Sequence, residues 1–594
     1  MALTPVVVAL TASPLAARLA DALGAPLHGR AGRVEAEVQF EDTLDHLRTL
    51  FAAGTPIVGI CAAGILIRAV APLLNDKRAE PPVIAVAEDG SAVVPLLGGH
   101  RGANALAGRI AEVLGVKAAV TTAGDLAWGF ALDEPPEGWR LAEPERAGAA
   151  MAALLAGQGA RLTGEAAEEA RWLDGLPRGD GVEVACTMGP AIGAGLRFAP
   201  QRVTLGVGAA RNCPPEELAF LVQAALREAG VMPEAIAAVG TLDLKADEGA
   251  VLALARDLGA PLRLFNAATL EAEAPRLANP SEVVFAEVGC HGVSEGAALA
   301  LSGPEGALLV AKRKSANATC ALALAPAPIT ELVGRPRGRL SVVGIGPGQA
   351  AWRTPEASRL VAEAEELVGY GLYIDLLGPL AAGKPRADFP LGGEEDRCRY
   401  ALERAGEGRN VALVCSGDAG IYAMAALVFE LLDRSENGVS DAARRAEVVV
   451  TPGISALQAA ASRAGAPLGH DFCAVSLSDL LTPREDILRR LRAAAEGDFV
   501  MALYNPVSRT RRTLLAEARD ILLKHRPADT PVLLASNLGR PQEQLTYRRL
   551  ADLQVDEVDM LTVVLIGSSQ SRIVQRGEGP RLYTPRGYAR KVMA

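Results

Sequence analysis

The chain has 594 residues, half of them hydrophobic and 22% charged, with a net charge of −10. That length exceeds one ordinary core, so roughly two to four domains are expected, with the composition of a soluble globular protein. The acidic balance, without a Lys/Arg run interleaved with aromatics, argues against a nucleic-acid partner, whose phosphates need a positive surface.

Apolar stretches such as 6–10 and 561–566 are far too short to span a membrane. The opening Met-Ala-Leu-Thr-Pro has no basic region or signal-type cleavage site, so a cytoplasmic location without a membrane partner is expected. Eight cysteines are scattered without a CxxC pair, which reads as reduced, buried thiols. Cys290-His291 places two soft ligands side by side, but adjacent residues rarely hold one metal, and no metal site is expected.

In chain order, short apolar runs alternate with alanine-rich helical patterns. The run 6–10 precedes a helix over Pro14–Leu23; Ile57–Ile60 precedes one over 65–74; the run 83–87 leads to one over Ala103–Leu114. This alternation predicts an open α/β sheet. A Pro/Gly/Glu-rich stretch at 133–138 interrupts it, and residues 140–200 read as a less regular middle region. A second α/β unit opens at Arg202 and runs to about Ala325. Prolines 326, 328 and 336 then mark a stiff linker. The expected division is 1–135, 136–200, 201–325, linker 326–338, and 339–594.

Beyond the linker stand two glycine-rich turns, each after an apolar run and before a helical pattern: Ser341-Val-Val-Gly344-Ile-Gly346-Pro347-Gly348 and Val414-Cys-Ser-Gly417-Asp418-Ala419-Gly420-Ile421-Tyr422. Without a Cβ, the backbone of such a turn approaches a ligand closely. Asp418 could alternatively cap a helix beginning at Ala419. Downstream come Pro452-Gly-Ile-Ser455-Ala456 and Tyr504-Asn505-Pro506.

In this order the motifs resemble the tetrapyrrole methyltransferases, from about Gly338 to the C-terminus. Asp559-Met-Leu-Thr562 through Gln570, with Tyr583-Thr-Pro-Arg-Gly-Tyr588, is similar to the precorrin-3B C(17)-methyltransferase branch of cobalamin synthesis. The resemblance implies a two-lobed α/β fold that binds S-adenosyl-L-methionine between its lobes, and a homodimer formed through this domain. Cofactor contacts carried over by motif are Gly346, Pro347, Gly348, Gly417, Asp418, Ala419, Ile421, Tyr422, Ser455, Ala456, Tyr504, Asn505 and Thr562. Methylation at ring carbon 17 with ring contraction needs proton transfers. Tyr370, Tyr373 and Asp375, in Gly369-Tyr-Gly-Leu-Tyr-Ile-Asp375, are the catalytic candidates, Asp375 as a base or as a ligand for a pyrrole N–H.

The segments Ala62-Ala-Gly64 through Lys77, Leu96 through Ala107, Thr121-Thr-Ala-Gly-Asp125, Val239 through Glu248 and Val293-Ser-Glu295 resemble the cobalt-precorrin-5A hydrolases, which open a lactone and release acetaldehyde. His100 is the catalytic candidate of that half. Lys77, Arg78, Arg101 and Asn104 are candidates for binding the acidic side chains of a tetrapyrrole substrate. His291 and Glu295, one helical turn apart, could share a site. Two departures stand out: Gly208-Ala-Ala-Arg-Asn-Cys213 replaces the family's usual Gly-Cys-Arg segment, and Cys290-His291 replaces a Thr-Pro. The alternative is a non-catalytic tetrapyrrole-binding module beside an active methyltransferase. Fold relatives that modify RNA or a translation factor are disfavoured by the charge and by the TPRGY ending.

Overall fold

The computed structural model describes residues 4–74, 80–190, 193, 195–508 and 511–588. Among them, no helix is long and apolar enough to cross a membrane. The architecture is α/β throughout, in several separate sheets.

The first sheet has six strands in the order 3-2-1-4-5-6, parallel except for the last, Val93–Leu97. Its central strands, Val6–Ala9, Ile57–Ile60 and Val83–Val86, are buried on both faces. This is why they read as unbroken Val/Ile runs rather than as alternation. Helices Pro14–Leu23 and Ala103–Leu114 cover one face, and Thr43–Ala52 and Ala63–Val70 the other.

Residues 140–200 are more ordered than their sequence suggests. Strands Trp139–Leu141, Leu196–Pro200, Val182–Cys186 and Ala160–Thr163 lie side by side in one sheet. Half-buried Trp172 packs against its core, its ring meeting Phe130, Trp139 and Phe198 edge-on. Strands this short carry almost no periodic signal, and the aromatics that gather them lie far apart in sequence.

The next sheet pairs Leu262–Phe265, Ile236–Leu242 and Val203–Ala209 in parallel, then Ala318–Leu324 and Ala307–Lys314 antiparallel. Helix Val293–Ser302 lies directly on Val203–Ala209, where a Cβ on Gly206 would sit 1.9 Å from the Ser294 carbonyl. The linker is pinned at both sides. Arg335 exchanges backbone hydrogen bonds with Leu264 at 2.8 and 2.9 Å, and its guanidinium donates to the Gly406 carbonyl at 2.6 Å.

The C-terminal part has two lobes. In the first, Arg386–Asp388, Glu366–Gly369, Asn410–Cys415, Arg339–Gly344 and Glu447–Thr451 form an all-parallel sheet in that spatial order. In the second, Phe472–Ser476, Val500–Tyr504, Thr562–Ile566, Pro531–Ser536 and Gln544–Arg549 form a mixed sheet. Helix Thr43–Ala52 packs on Pro355–Glu363, and Ala53 is buried in the first lobe's core.

Candidate active site

In parallel sheets, ligands bind outside the carboxyl ends of the strands. Strands Arg339–Gly344 and Asn410–Cys415 are neighbours, and both end in the glycine-rich turns. The turns are joined: Gly346 N–H donates to the Gly417 carbonyl at 3.1 Å, and Gly417 N–H to the Gly346 carbonyl at 2.8 Å. A third turn closes on them. A Cβ on Gly453 would lie 2.1 Å from the Gly417 carbonyl oxygen, so only glycine fits there. Asp418 ties the group together, its carboxylate accepting from Gly420 N–H at 2.8 Å and Gly453 N–H at 3.0 Å. It caps no helix, because the following helix starts only at Met424.

The second lobe supplies the facing wall. Ser455 is the N-cap of helix Ala456–Ala464, in a capping box with Gln458. The Tyr504 hydroxyl accepts from Leu457 N–H at 2.9 Å. Its ring lies 5.1 Å from that of Tyr422, whose hydroxyl donates to the Ala474 carbonyl at 2.9 Å. Tyr422 has φ 52°, Asn505 49° and Asn537 51°, so three non-glycine residues stand in the left-handed region around one cleft. Such strain persists only where the surroundings fix it, and it gathers at functional sites. Thr562 is buried, its hydroxyl donating to Asp559 at 2.6 Å and lying 2.6 Å from the Ser536 hydroxyl.

Ten of the expected cofactor residues line this interlobe cleft: Pro347, Gly417, Asp418, Ile421, Tyr422, Ser455, Ala456, Tyr504, Asn505 and Thr562. Gly346, Gly348 and Ala419 stand behind its wall. Gly346 pairs with Gly417, Gly348 lies against Gly539 and Arg540, and Ala419 is buried in the first lobe's core. The sequence reading missed Ser416, Asn537, Leu538, Arg540, Met560 and Leu561, which also line it.

Of the catalytic candidates, Tyr373 alone is in the cleft wall, its phenol pKa pushed up by burial. Tyr370 packs edge-on against it at 5.3 Å. Asp375 is placed differently from Tyr373. It ends the short helix Gly371–Asp375 with an exposed carboxylate bound to Arg386 at 2.9 Å, outside the cleft lining. Asp375 lies two residues beyond Tyr373 on this helix, and its carboxylate is engaged by the Arg386 guanidinium.

Of the N-terminal candidates, Arg101 and Asn104 are not in the cleft lining. Lys77 and Arg78 lie outside the described residues, as does the side chain of His100. The backbone of His100 follows the antiparallel strand Val93–Leu97, at the amino ends of the parallel strands. Arg101 lines a cavity of about 1040 Å³ between the first domain and the first methylase lobe, with Pro26, Thr55, Lys384 and Asn410. Burial holds the Lys384 pKa down to about 8 while its ammonium donates to the Ala362 and Ala364 carbonyls. Asn104 is engaged within its own domain, donating to Thr122 at 3.0 Å and Asp125 at 3.1 Å.

His291 and Glu295 do not share a site. His291 Nδ1 lies 2.9 Å from Glu271, while buried Glu295 accepts from Asn279 and from Lys312 N–H. Arg211, in the departing segment, pairs with Asp247 at 2.7 Å, and Arg445 of the methylase domain reaches the same carboxylate at 3.8 Å.

Joined glycine turns at the carboxyl ends of neighbouring parallel strands make this two-lobed α/β domain one of the class that holds a small ligand against backbone. The comparisons identify the family. Residues 339–554 match the tetrapyrrole (corrin/porphyrin) methylases, 203–323 the cobalamin synthesis G C-terminus, and 45–125 the cobalamin synthesis G N-terminal region. The precorrin-3B C(17)-methyltransferase of Sinorhizobium sp is 47% identical over 253 residues, 42% of this chain and 98% of that protein. The probable cobalt-factor III C(17)-methyltransferase of Salmonella typhimurium is 45% identical over 249 residues, 42% of this chain and 99% of that protein. Among solved structures, the methyltransferase CobJ is 41% identical over 42% of this chain and all of its own length, with a TM-score of 0.39. CobE, from the cobalamin biosynthetic pathway, is 37% identical over 22% of this chain and 94% of its own, with a TM-score of 0.21. The chain belongs to the tetrapyrrole methylase family and carries both cobalamin synthesis G regions ahead of the methylase domain.

Proposed function

We propose that the C-terminal domain transfers a methyl group from S-adenosyl-L-methionine to carbon 17 of precorrin-3B or its cobalt counterpart, with ring contraction to a precorrin-4-type product. The preceding regions, on the same reading, open the lactone of cobalt-precorrin-5A. The protein would work in cobalamin synthesis in the cytoplasm, as a homodimer through the methylase domain.

The observation that carries this reading is the Gly346–Gly417 pairing at the mouth of the cleft. Gly417 lines the cleft at φ 72°, and a Cβ there would meet nothing closer than Ser455 Cα at 3.8 Å. That open space suits a ligand lying on backbone. The donor set is chemically apt: Asp418 and Asn505 offer polar groups for ribose or amino acid, and Ile421, Leu538 and Met560 offer apolar surface for adenine. When bound, the sulfonium supplies an already activated methyl. The chain's part is to hold donor and ring carbon in line and to exclude water. Tyr373, buried at the wall, is placed to hold a proton near the reacting ring through its hydroxyl.

Anaerobic incubation with precorrin-3B and methyl-labelled S-adenosylmethionine tests the assignment, since one labelled methyl must appear in the product mass. For the N-terminal half, acetaldehyde release from cobalt-precorrin-5A separates a hydrolase from a binding module. The second reading draws support from Arg211, which is spent on Asp247 rather than presented to a ligand.

A further inference from the structure

Among the described residues that line the cleft, Arg540 is the one cation. It sits in the turn joining Pro531–Ser536 to Gln544–Arg549, and it reaches from the second lobe to both glycine turns of the first. Its Nε donates to the Pro347 carbonyl at 2.8 Å, and its Nη2 to the Ser416 hydroxyl at 3.1 Å.

The turn itself is held firmly. Gly539 N–H donates to Glu543 at 2.7 Å; Glu543 also pairs with Arg463 at 2.7 Å; and Arg463 stacks on Trp352 at 4.4 Å. Arg540 is therefore a positioned guanidinium, not a loose surface charge.

Its partners are both neutral. Among the described residues, no carboxylate lies within ion-pair distance of it, whereas Arg463, tied to the same turn, pairs with Glu543. A carbonyl and a hydroxyl satisfy two of five N–H groups and neutralise no charge. A half-buried guanidinium in that state is completed by an anion, and its fork matches a carboxylate.

We propose that Arg540 binds a carboxylate of the reactants through its remaining N–H groups, and so determines which ligand seats in the cleft. This rests on the methyltransferase reading, under which two reactants bring carboxylates: the amino-acid end of S-adenosylmethionine and the acetate and propionate arms of the macrocycle. The chemistry is the same for either source.

The test uses the full chain with Arg540→Gln and Arg540→Lys. Calorimetry measures S-adenosylhomocysteine and 5′-methylthioadenosine, which lacks the amino-acid carboxylate. Absorbance titration under anaerobic conditions measures precorrin-3B. If the cofactor carboxylate is the partner, R540Q weakens S-adenosylhomocysteine about 10- to 100-fold and leaves methylthioadenosine unchanged. If a macrocycle arm is the partner, precorrin-3B weakens by that factor and both nucleosides keep their affinity. In either case R540K recovers part of the loss.

The proposal is overturned if R540Q binds S-adenosylhomocysteine and precorrin-3B within about twofold of the native protein. Equal loss of methylthioadenosine also overturns it, because Arg540 would then only clasp the lobes. If native protein binds S-adenosylhomocysteine but no precorrin-3B, the substrate reading falls by itself. An unchanged ratio of the two nucleosides in R540Q would then reject the Arg540 assignment as well.

Discussion

Gly417→Ala separates a ligand cradle from an ordinary turn. At φ 72° an alanine there pays left-handed strain of about 1–2 kcal/mol, while its Cβ meets no protein atom within 3.8 Å. The methyl group points instead into space lined by Asp418, Ser455 and Tyr504. Gly378→Ala is the matched control. It lies in the same lobe at φ 58°, with nothing within 4 Å of a Cβ, and it is absent from the cleft lining. Both variants should lose a similar 1–2 kcal/mol, a few degrees in the calorimetric midpoint of the methylase domain. Only G417A should lose affinity for S-adenosylhomocysteine, by at least about tenfold, because backbone approach is blocked there. Equal affinity in the two variants would refute the cradle argument.

Asp375→Asn should leave methyl transfer within about twofold of native, since that carboxylate serves Arg386 outside the cleft; a loss of a hundredfold would restore it as a base. Gly206→Ala should destabilise the domain at 203–324 by about 3 kcal/mol or more through collision with the Ser294 carbonyl, read by hydrogen exchange in helix Val293–Ser302. The buried pair His28 and His46, 3.0 Å apart, gives the first domain an acid limit. Burial lowers their pKa values to about 3 and about 4 from 6.5, so the unfolded chain takes up more protons below pH 6.5. Their contribution is complete above that pH and is lost as pH falls through the window down to the folded values, by about 4 kcal/mol at pH 5. Hydrogen exchange of strands Val6–Ala9 and Leu27–Arg30 at pH 7.5 and 5 should show the loss, and unchanged protection would contradict it.

What the sequence made legible was local. Helices Pro14–Leu23 and Ala103–Leu114 were readable because an alanine-rich helical pattern follows an apolar run within one segment. The glycine turns were readable because strand, turn and helix follow one another. Arg540 and Asn537 were not. Each is an ordinary loop residue until folding brings the second lobe across nearly two hundred residues to Pro347. Asp375 shows the complementary limit: it is close to Tyr373 in sequence, yet only the fold shows that its carboxylate meets Arg386 outside the cleft lining. The middle sheet escaped notice because its strands are short and the aromatics packed on it, such as Phe130 and Trp172, lie far apart in sequence.

The central claim is tested most directly by the fate of one labelled methyl group. The full chain is incubated anaerobically with precorrin-3B and S-adenosylmethionine carrying a 13C methyl, and the product is examined by mass and 13C NMR. The account predicts a gain of one labelled methyl, bound to a saturated ring carbon at position 17 of a contracted macrocycle. A labelled methyl at another ring position, or no transfer to precorrin-3B or cobalt-factor III, would contradict it.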